Sequence, residues 1–586
     1  MAELTQTECR TLDRETSPLP LSSPTRPPMG RPGDRRWVRL GVWIGVCIGA
    51  GTLLDGPHPL QVGAILGSLI WLTGSGRRSV AALFTVIGFR LSFPPDGWPL
   101  YLCCFGPAVW LWRGRHPEPG RCPTAFGRAG WAWEALGVGF AMCWMTTAFV
   151  RAGYGKLGIF AHTVMSLCFG LQVLGIAWCL RLSRDLHALA AAPTAALGAV
   201  AIEFIPSAPA SWMLLPLHLP AASTPLAQWA FYAGPFGVSG ILYLVNFWCW
   251  MEWTGRGRDF GRWRSVAAAS ACLSIAWFGG MAMASNVTAR PLSFRVLIVQ
   301  PNLRGGDGVS PRPWVVLDRL TRSALKGGPD VDLIIWPETV LSPSLWPMVP
   351  GEWADGSEAG DLAIARDFLP LEVFDRVILP RYGGVPCLVG IALTKTEPTM
   401  RYGVTVREAR TYNSACLVVP GGEPQAHDKL ALCPLREGLP SWLDFPGVRR
   451  FLTSAFQVDE FFCPGREYGQ LKLKDRSGRV IPVGVSICDE MFFPQLPQYW
   501  ESNRAEVIFH LTNNAWSSGY RDFDSYQLWS CPYRAIETRS WQVISSTFSG
   551  SAVIDPLGRI LVNLPSKPGT LIIGARSHRP QSLASE

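Results

Sequence analysis

The chain has 586 residues, enough for several domains, and with 48% hydrophobic side chains, 26 tryptophans and only 17% charged residues it is too apolar to be a single water-soluble domain. Its net charge of +9 comes with no basic face interleaved with aromatics, so a nucleic-acid partner is not expected. A membrane-embedded part is implied.

Residues 1–36 are rich in Pro, Ser, Thr and Arg and lack apolar periodicity, which predicts a disordered cytoplasmic tail. A cleaved leader is not expected, because the first apolar stretch begins late and others follow at once. Residues 37–286 then read as a transmembrane helical domain. Nine stretches there approach the roughly 20 apolar residues that a crossing helix needs: about 38–54, 59–74, 79–94, 98–113, 129–150, 157–180, 188–205, 226–252 and 264–285.

Arginines fix the orientation, since flanking positive charge stays in the cytoplasm. Arg35, Arg36 and Arg39 precede the first helix, and Arg77 and Arg78 follow the second. Arg113, Arg115, Arg121 and Arg128 follow the fourth, Arg181 and Arg184 the sixth, and Arg256, Arg258, Arg262 and Arg264 the eighth. The odd-numbered gaps carry almost no charge. Nine crossings with the tail inside deliver everything after residue 286 to the outer face, and these arginines account for the basic charge.

From residue 293 the pattern changes to short β-branched runs bounded by Gly, Pro and Asp. Strands are predicted at 294–302, 331–338, 386–393, 413–419, 481–488, 506–513, 541–548 and 550–556, and helices at 314–326, 359–375 and 524–540. The alternation predicts a layered α/β domain over 293–575, with two sheets inside, helices outside and a tail over 576–586.

Three residues stand at or after strand ends, where such folds present chemistry. Glu338 closes "LIIWPE", Lys429 lies in "AHDKLALCPLREGLP" and Cys488 closes "VGVSIC". A glutamate can take a thiol proton, and a lysine can stabilise the thiolate and the oxyanion that follows. Asp489 and Glu490 directly follow the thiol, but alternation along an extended segment places Cys488 and Asp489 on opposite faces. Plainer readings exist for each: a structural cysteine, an ion-paired glutamate and an exposed lysine. Cysteines 387, 416, 433, 463, 488 and 531 lie in this part, and Cys433 with Cys463 is a candidate disulfide whose connectivity the sequence leaves open. His427 and His510 lack partners at ligand spacing and no glycine-rich phosphate loop occurs, so neither a metal nor a cofactor is expected.

The motifs "IIWPET", "YNSACLVV", "DKLALCPLREGLP", "SICDE", "TNNAW" and "YRAIETRSW", the last followed by "AVIDPLGRI", occur in this order. In that sequence they resemble the nitrilase, or carbon-nitrogen hydrolase, superfamily. The whole layout, with "EFIPSAPASWMLLPLHLPAAS" before an external loop, resembles the apolipoprotein N-acyltransferases over nearly all of residues 79–565. The resemblance implies a multi-span helical membrane domain plus a four-layer αββα nitrilase-like domain, in the inner membrane with the catalytic part on the periplasmic face. It implies that Glu338, Lys429 and Cys488 are catalytic, that Glu437 positions Lys429 or the incoming group, that Glu490 supports the loop after the nucleophile and that Trp314 lines an acyl pocket. It implies a phospholipid acyl donor and a diacylglyceryl-modified apolipoprotein acceptor. The chain departs from the family at Asp489, where Tyr is usual, and at Leu435-Arg436-Glu437, where Phe-Gly-Glu is usual. It is also expected to carry two additional amino-terminal helices and to lack a closing membrane helix. An amidase or acyltransferase acting on another substrate, and an inactive nitrilase-like scaffold, are the alternatives.

Overall fold

The computed structural model describes residues 155–583 except for several segments, the longest being 252–260, 304–312 and 347–370, together with Ala132 and Ala135. The expected tail over 1–36 and the first four expected helices lie outside the described residues, as does the fifth but for those two helical alanines. The next four expected helices are present as α1 (Gly155–Leu182), α2 (Ala188–Ala210), α3 (Ala230–Met251) and α4 (Gly261–Ser285). Three spans among the described residues are long and apolar enough to cross a membrane: Gly158–Leu182, Pro225–Cys249 and Arg264–Ser285. The apolar stretch in α2, Leu189–Ile205, is shorter.

Small residues let α1 and α2 approach closely, as in helix pairs that lack a hydrophobic drive between them. Ala191, Ala192, Ala195 and Ala199 of α2 are buried in one cluster with Val173, Ile176, Ala177 and Leu180 of α1. A Cβ at Gly198 would lie 2.5 Å from the Cys179 sulfur. Away from that cluster α1 exposes Leu171 and Trp178, α2 exposes Leu197 and α4 exposes Phe278, the chemistry of a surface that meets hydrocarbon. In α3, Gly234 takes φ 63° immediately before Pro235, and the helix breaks there.

The rest is a two-sheet domain. Its strands are β1 (Val296–Gln300), β2 (Leu333–Ile335), β3 (Leu341–Trp346), β4 (Cys387–Arg401), β5 (Val404–Val418), β6 (Gln425–Asp428) and β7 (Leu471–Lys474). They continue as β8 (Val480–Ile487), β9 (Val507–Thr512), β10 (Trp541–Ser546), β11 (Ala552–Ile554), β12 (Ile560–Asn563), β13 (Gly569–Gly574) and β14 (Ser577–Leu583). One sheet of eight strands runs β14-β13-β1-β2-β4-β5-β6 with β3 on β4, and the second, of six, runs β12-β11-β10-β9-β8-β7. Helices α5 (Pro313–Leu325), α6 (Pro446–Phe456), α7 (Leu496–Ser502) and α8 (Arg521–Thr538) flank it, and of the helix expected over 359–375 residues 359–370 lie outside the described residues while Leu371–Val373 is helical. Residues 577–583, placed in a tail by the sequence, pair antiparallel with β13.

Central strands are apolar on both faces because both are covered. In β1, Val296 and Ile298 join the core between the sheets, while Leu297 and Val299 join the helix-facing core with Trp314, Leu317 and Leu320 of α5. From the second sheet, Val485, Ile487, Phe509 and Leu511 meet the same inter-sheet core.

The helical part and the two-sheet domain interlock through α8. Tyr533 and Ile536 are buried in the cluster formed by α1, α2 and α3. Gln228 donates to the Leu557 carbonyl at 2.9 Å and accepts from Arg539 at 2.9 Å.

Candidate active site

Parallel sheets present their chemistry beyond the carboxyl ends of the strands. Glu338 lies three residues past β2, Lys429 directly after β6, Cys488 directly after β8 and Asn513 directly after β9. All but Lys429 follow strands with parallel partners, so their ends reach the same edge of each sheet.

The turn carrying Glu338 is held by β4. Gly390 donates to the Pro337 carbonyl and accepts from the Val340 N–H, both at 3.1 Å. A Cβ at Gly390 would sit 2.4 Å from Glu338 Cα, so only glycine permits this approach. Thr339 takes φ 53°, a left-handed conformation that costs a β-branched residue energy and marks a constrained turn. The buried Glu338 carboxylate accepts from Asn413 Nδ2 at 2.7 Å on one oxygen and from the Asn513 N–H at 2.6 Å on the other.

Lys429 is fully buried. Its Nζ donates to Glu437 Oε2 at 2.6 Å and lies 3.8 Å from Glu338 Oε1. Asn413, on β5, bridges the two carboxylates, since its Nδ2 also donates to Glu437 Oε1 at 2.7 Å. The Cys433 N–H completes the Glu437 shell at 2.7 Å. Burial disfavours the ammonium, but Glu437, Cys488, Glu338 and Asp489 together hold Lys429 well above its ordinary value. Burial likewise disfavours the Glu437 carboxylate, and Lys429 with the Cys433 and Asn413 donors outweighs it, holding that carboxyl below its usual range. One amine thus serves two carboxylates.

Cys488 is buried at the first position of a tight 3-10 turn, Cys488–Phe492, with φ 53°. This strained strand-to-helix geometry is of the kind that presents nucleophiles. The expectation that Cys488 and Asp489 face opposite sides fails here. The strand ends at Ile487, the turn starts at the cysteine, and Sγ comes within 3.6 Å of Asp489 Oδ1. Burial pushes the thiol well above its ordinary pKa; Asp489 and Glu338 push it further, and Lys429 pulls it back only in part. At rest the sulfur keeps its proton.

Glu490, also fully buried, joins the two loops. It accepts from the Ile487 N–H at 2.8 Å and from the Leu430 N–H, and it lies 3.3 Å from His427 Nε2. The turn under the sulfur is thereby tied to the segment that follows Lys429. The structure therefore brings together Glu338, Lys429, Cys488, Glu437 and Glu490. Trp314 is placed elsewhere, in the core between α5 and the first sheet with Leu297 and Trp336. Cys433 and Cys463 are not joined to each other by a disulfide.

Neutral residues of the site went unnoticed in the sequence. Asn413 lies within "YNSACLVV" and Asn513 within "TNNAW", yet nothing local marks an amide that bridges two distant acids. Thr512 Oγ1 lies 3.9 Å and Gln527 Nε2 4.0 Å from the Cys488 sulfur. Gln527 sits on α8 in a stretch without any motif.

This arrangement offers a carboxylate, a cation and a thiol around one buried point, the requirements of acyl transfer through a covalent intermediate. The carbon-nitrogen hydrolase family matches residues 311–579. Among known proteins, apolipoprotein N-acyltransferase 2 of Treponema denticola is 31% identical over 27% of this chain and 30% of that protein. Apolipoprotein N-acyltransferase 1 of Treponema pallidum is 29% identical over 47% of this chain and 48% of its own length. The chain thus spans about half or less of these relatives. The apolipoprotein N-acyltransferase of Rhodopseudomonas palustris is 26% identical over 85% of this chain and 89% of that one. An amidase from Nesterenkonia sp. is 17% identical over 50% of this chain and 93% of its own, with a TM-score of 0.29, a likeness that adds nothing to the strand order above. Residues 311–579 thus match the carbon-nitrogen hydrolase family, in a chain similar in sequence to the apolipoprotein N-acyltransferases.

Proposed function

We propose that this protein transfers a fatty acyl chain from a membrane phospholipid to the α-amine of the amino-terminal diacylglyceryl-cysteine of apolipoproteins, through a thioester on Cys488. The observation that carries this reading is the convergence on one buried sulfur of the Glu338 and Lys429 charges, themselves 3.8 Å apart. It gains support from the similarity to proteins named for that reaction.

In the first half-reaction Glu338 takes the Cys488 proton and the thiolate attacks the ester carbonyl. Lys429 has three N–H bonds and gives one to Glu437, which leaves donors for the tetrahedral oxyanion. Collapse expels the lysophospholipid alkoxide, which takes the proton back from Glu338, and the acyl group remains on sulfur. In the second half-reaction the acceptor amine attacks the thioester, Glu338 accepts the amine's proton, and the returning thiolate recovers it. Glu437 fixes the Lys429 amine, and Glu490 holds the Cys488 turn.

On this reading the arginine pattern of residues 37–286 puts the catalytic part, 293–575, on the outer face of the cytoplasmic membrane. There both lipid-anchored substrates arrive without their chains being drawn through water. Mass spectrometry of the intact protein after incubation with phospholipid is the test. A mass increase of one acyl chain, mapped to Cys488, labile to hydroxylamine, absent in Cys488→Ser and discharged by a diacylglyceryl peptide, is expected. An enzyme that never becomes acylated, or a Cys488→Ser variant that still acylates lipoprotein at the normal rate, rejects the reading.

A further inference from the structure

We propose that Gln527 is a further catalytic residue of this site, the donor that receives the Cys488 sulfur once its proton has left. The inference rests on Cys488 being the nucleophile, as proposed above. When Glu338 takes the proton, the sulfur becomes an anion in a buried pocket and needs hydrogen-bond donors there. Its charged surroundings supply few. Asp489, on the same turn, presents a carboxylate oxygen at 3.6 Å that can only accept. Glu338, after β2, and Glu437, after β6, are both acidic and both oppose the thiolate. Lys429 favours it, but its amine is held 2.6 Å from Glu437.

Among the described residues two neutral groups stand at the sulfur, Thr512 Oγ1 at 3.9 Å and Gln527 Nε2 at 4.0 Å. They also touch each other: the Thr512 hydroxyl donates to Gln527 Oε1 at 3.3 Å. A hydroxyl has one proton. With that proton given to the amide oxygen, Thr512 orients the side chain, and the Gln527 NH2 is turned toward the sulfur. Gln527 is buried, with 4% of its surface exposed, so water does not replace it easily. Its helix is held from below, since the Tyr533 hydroxyl on α8 donates to the His218 carbonyl. The amide is thus carried on a rigid element and aimed by a side chain of the opposing strand end.

The test is the pH dependence of Cys488 carboxamidomethylation by iodoacetamide in the full-length protein in detergent micelles, read by peptide mass spectrometry. The readout needs no lipid. Loss of one donor to a buried anion is expected to raise the midpoint by about one pH unit in Gln527→Leu, slowing alkylation at pH 8 about tenfold. Gln527→Glu, nearly isosteric but acceptor-only, should shift it at least as far. Gln527→His, whose ring N–H restores a donor, should return to within about threefold of the parent. A Gln527→Leu or Gln527→Glu profile superimposing on the parent's overturns the proposal. So does an equal displacement of the Leu and His variants, which would mean that only packing was lost. If the profiles shift as expected but phospholipid never acylates Cys488, the role of Gln527 stands and the lipid reading falls; unshifted profiles in an enzyme that is acylated give the reverse.

Discussion

Two buried polar clusters touch the same helix, α8, and they are built on opposite terms. Around Lys429 one amine faces Glu338 and Glu437, with Asp489 beside the sulfur, so acidic groups outnumber the cation at the point where chemistry is proposed. Around His218 the hydrogen bonds close on themselves. Glu203 Oε1 accepts from Ser239 Oγ at 2.6 Å and lies 3.2 Å from His218 Nδ1, and the His218 N–H donates to Ser239 Oγ at 3.0 Å. Burial holds the His218 imidazole below its ordinary value against the pull of Glu203. Its carbonyl takes the Tyr533 hydroxyl, joining the helical part to α8. Imbalance keeps a thiol and a base responsive to each other, whereas closure makes an anchor.

Removing the cation breaks the first cluster hardest. Lys429→Met removes the amine that lies 2.6 Å from Glu437 and 3.8 Å from Glu338, two buried carboxylates that share one amide. A destabilisation of about 3–5 kcal/mol is expected, with acyl transfer abolished, and thermal unfolding in micelles beside an acylation assay checks both. The same pairing sets an acid limb. The Glu437 carboxyl is held below its ordinary value of 4.5, so its contribution is complete above that pH and is lost as pH falls through the lower folded value. Glu437→Gln should flatten the fall in stability below pH 4.5.

Displacing the base without touching its charge comes next. In Gly390→Ala the added Cβ meets the Glu338 backbone, at 2.4 Å from Cα and 2.5 Å from the Thr339 nitrogen, with no flexible atom to yield. Overpacking of this kind costs about 1–3 kcal/mol. A shift of about 1 Å in Glu338 should slow Cys488 acylation about 100-fold. The anchor should behave differently. Tyr533→Phe removes one of two donors to the His218 carbonyl, which keeps the Ala221 N–H, and is expected to cost about 1 kcal/mol in thermal unfolding while the Cys488 alkylation profile keeps its shape. A profile that moved would make the two clusters one unit.

The contrast also explains what the sequence could disclose. Glu338 and Cys488 stood out because each closes an apolar run, where a charged or reactive side chain is costly to bury without a partner, whereas Lys429 stood out only through the motif "AHDKLALCPLREGLP" that follows a strand. The two-sheet layering was legible because strands covered on both faces are continuous apolar runs, as in β1 and β9. Asn413 was not, because its bridging role follows from the β4–β5 register, where it opposes Ala392, and no local signal carries register. Gln527 and His218 depend on how α8 docks on other elements. Extending the strand rule one residue too far misplaced Asp489: the alternation that governs Val480–Ile487 stops at the left-handed φ of Cys488.

That residue supplies the smallest and most specific probe of the imbalance. Asp489 follows burial as the largest cause raising the Cys488 thiol, and its oxygen lies 3.6 Å from the sulfur. Asp489→Asn removes the charge and keeps the shape. The sign follows directly: a carboxylate beside the sulfur resists a second negative charge, so its loss lowers the thiol pKa and moves the alkylation profile toward lower pH, by about one unit. Stability should change by less than about 1 kcal/mol, because neither Lys429 nor Glu490 loses a hydrogen-bond partner. Asp489→Asn and Gln527→Leu should then move the same profile in opposite directions, as expected if the acid opposes the thiolate and the amide supports it. Combined in one chain, the two changes should largely cancel at the sulfur, and a residual shift would measure their coupling through the Cys488 turn.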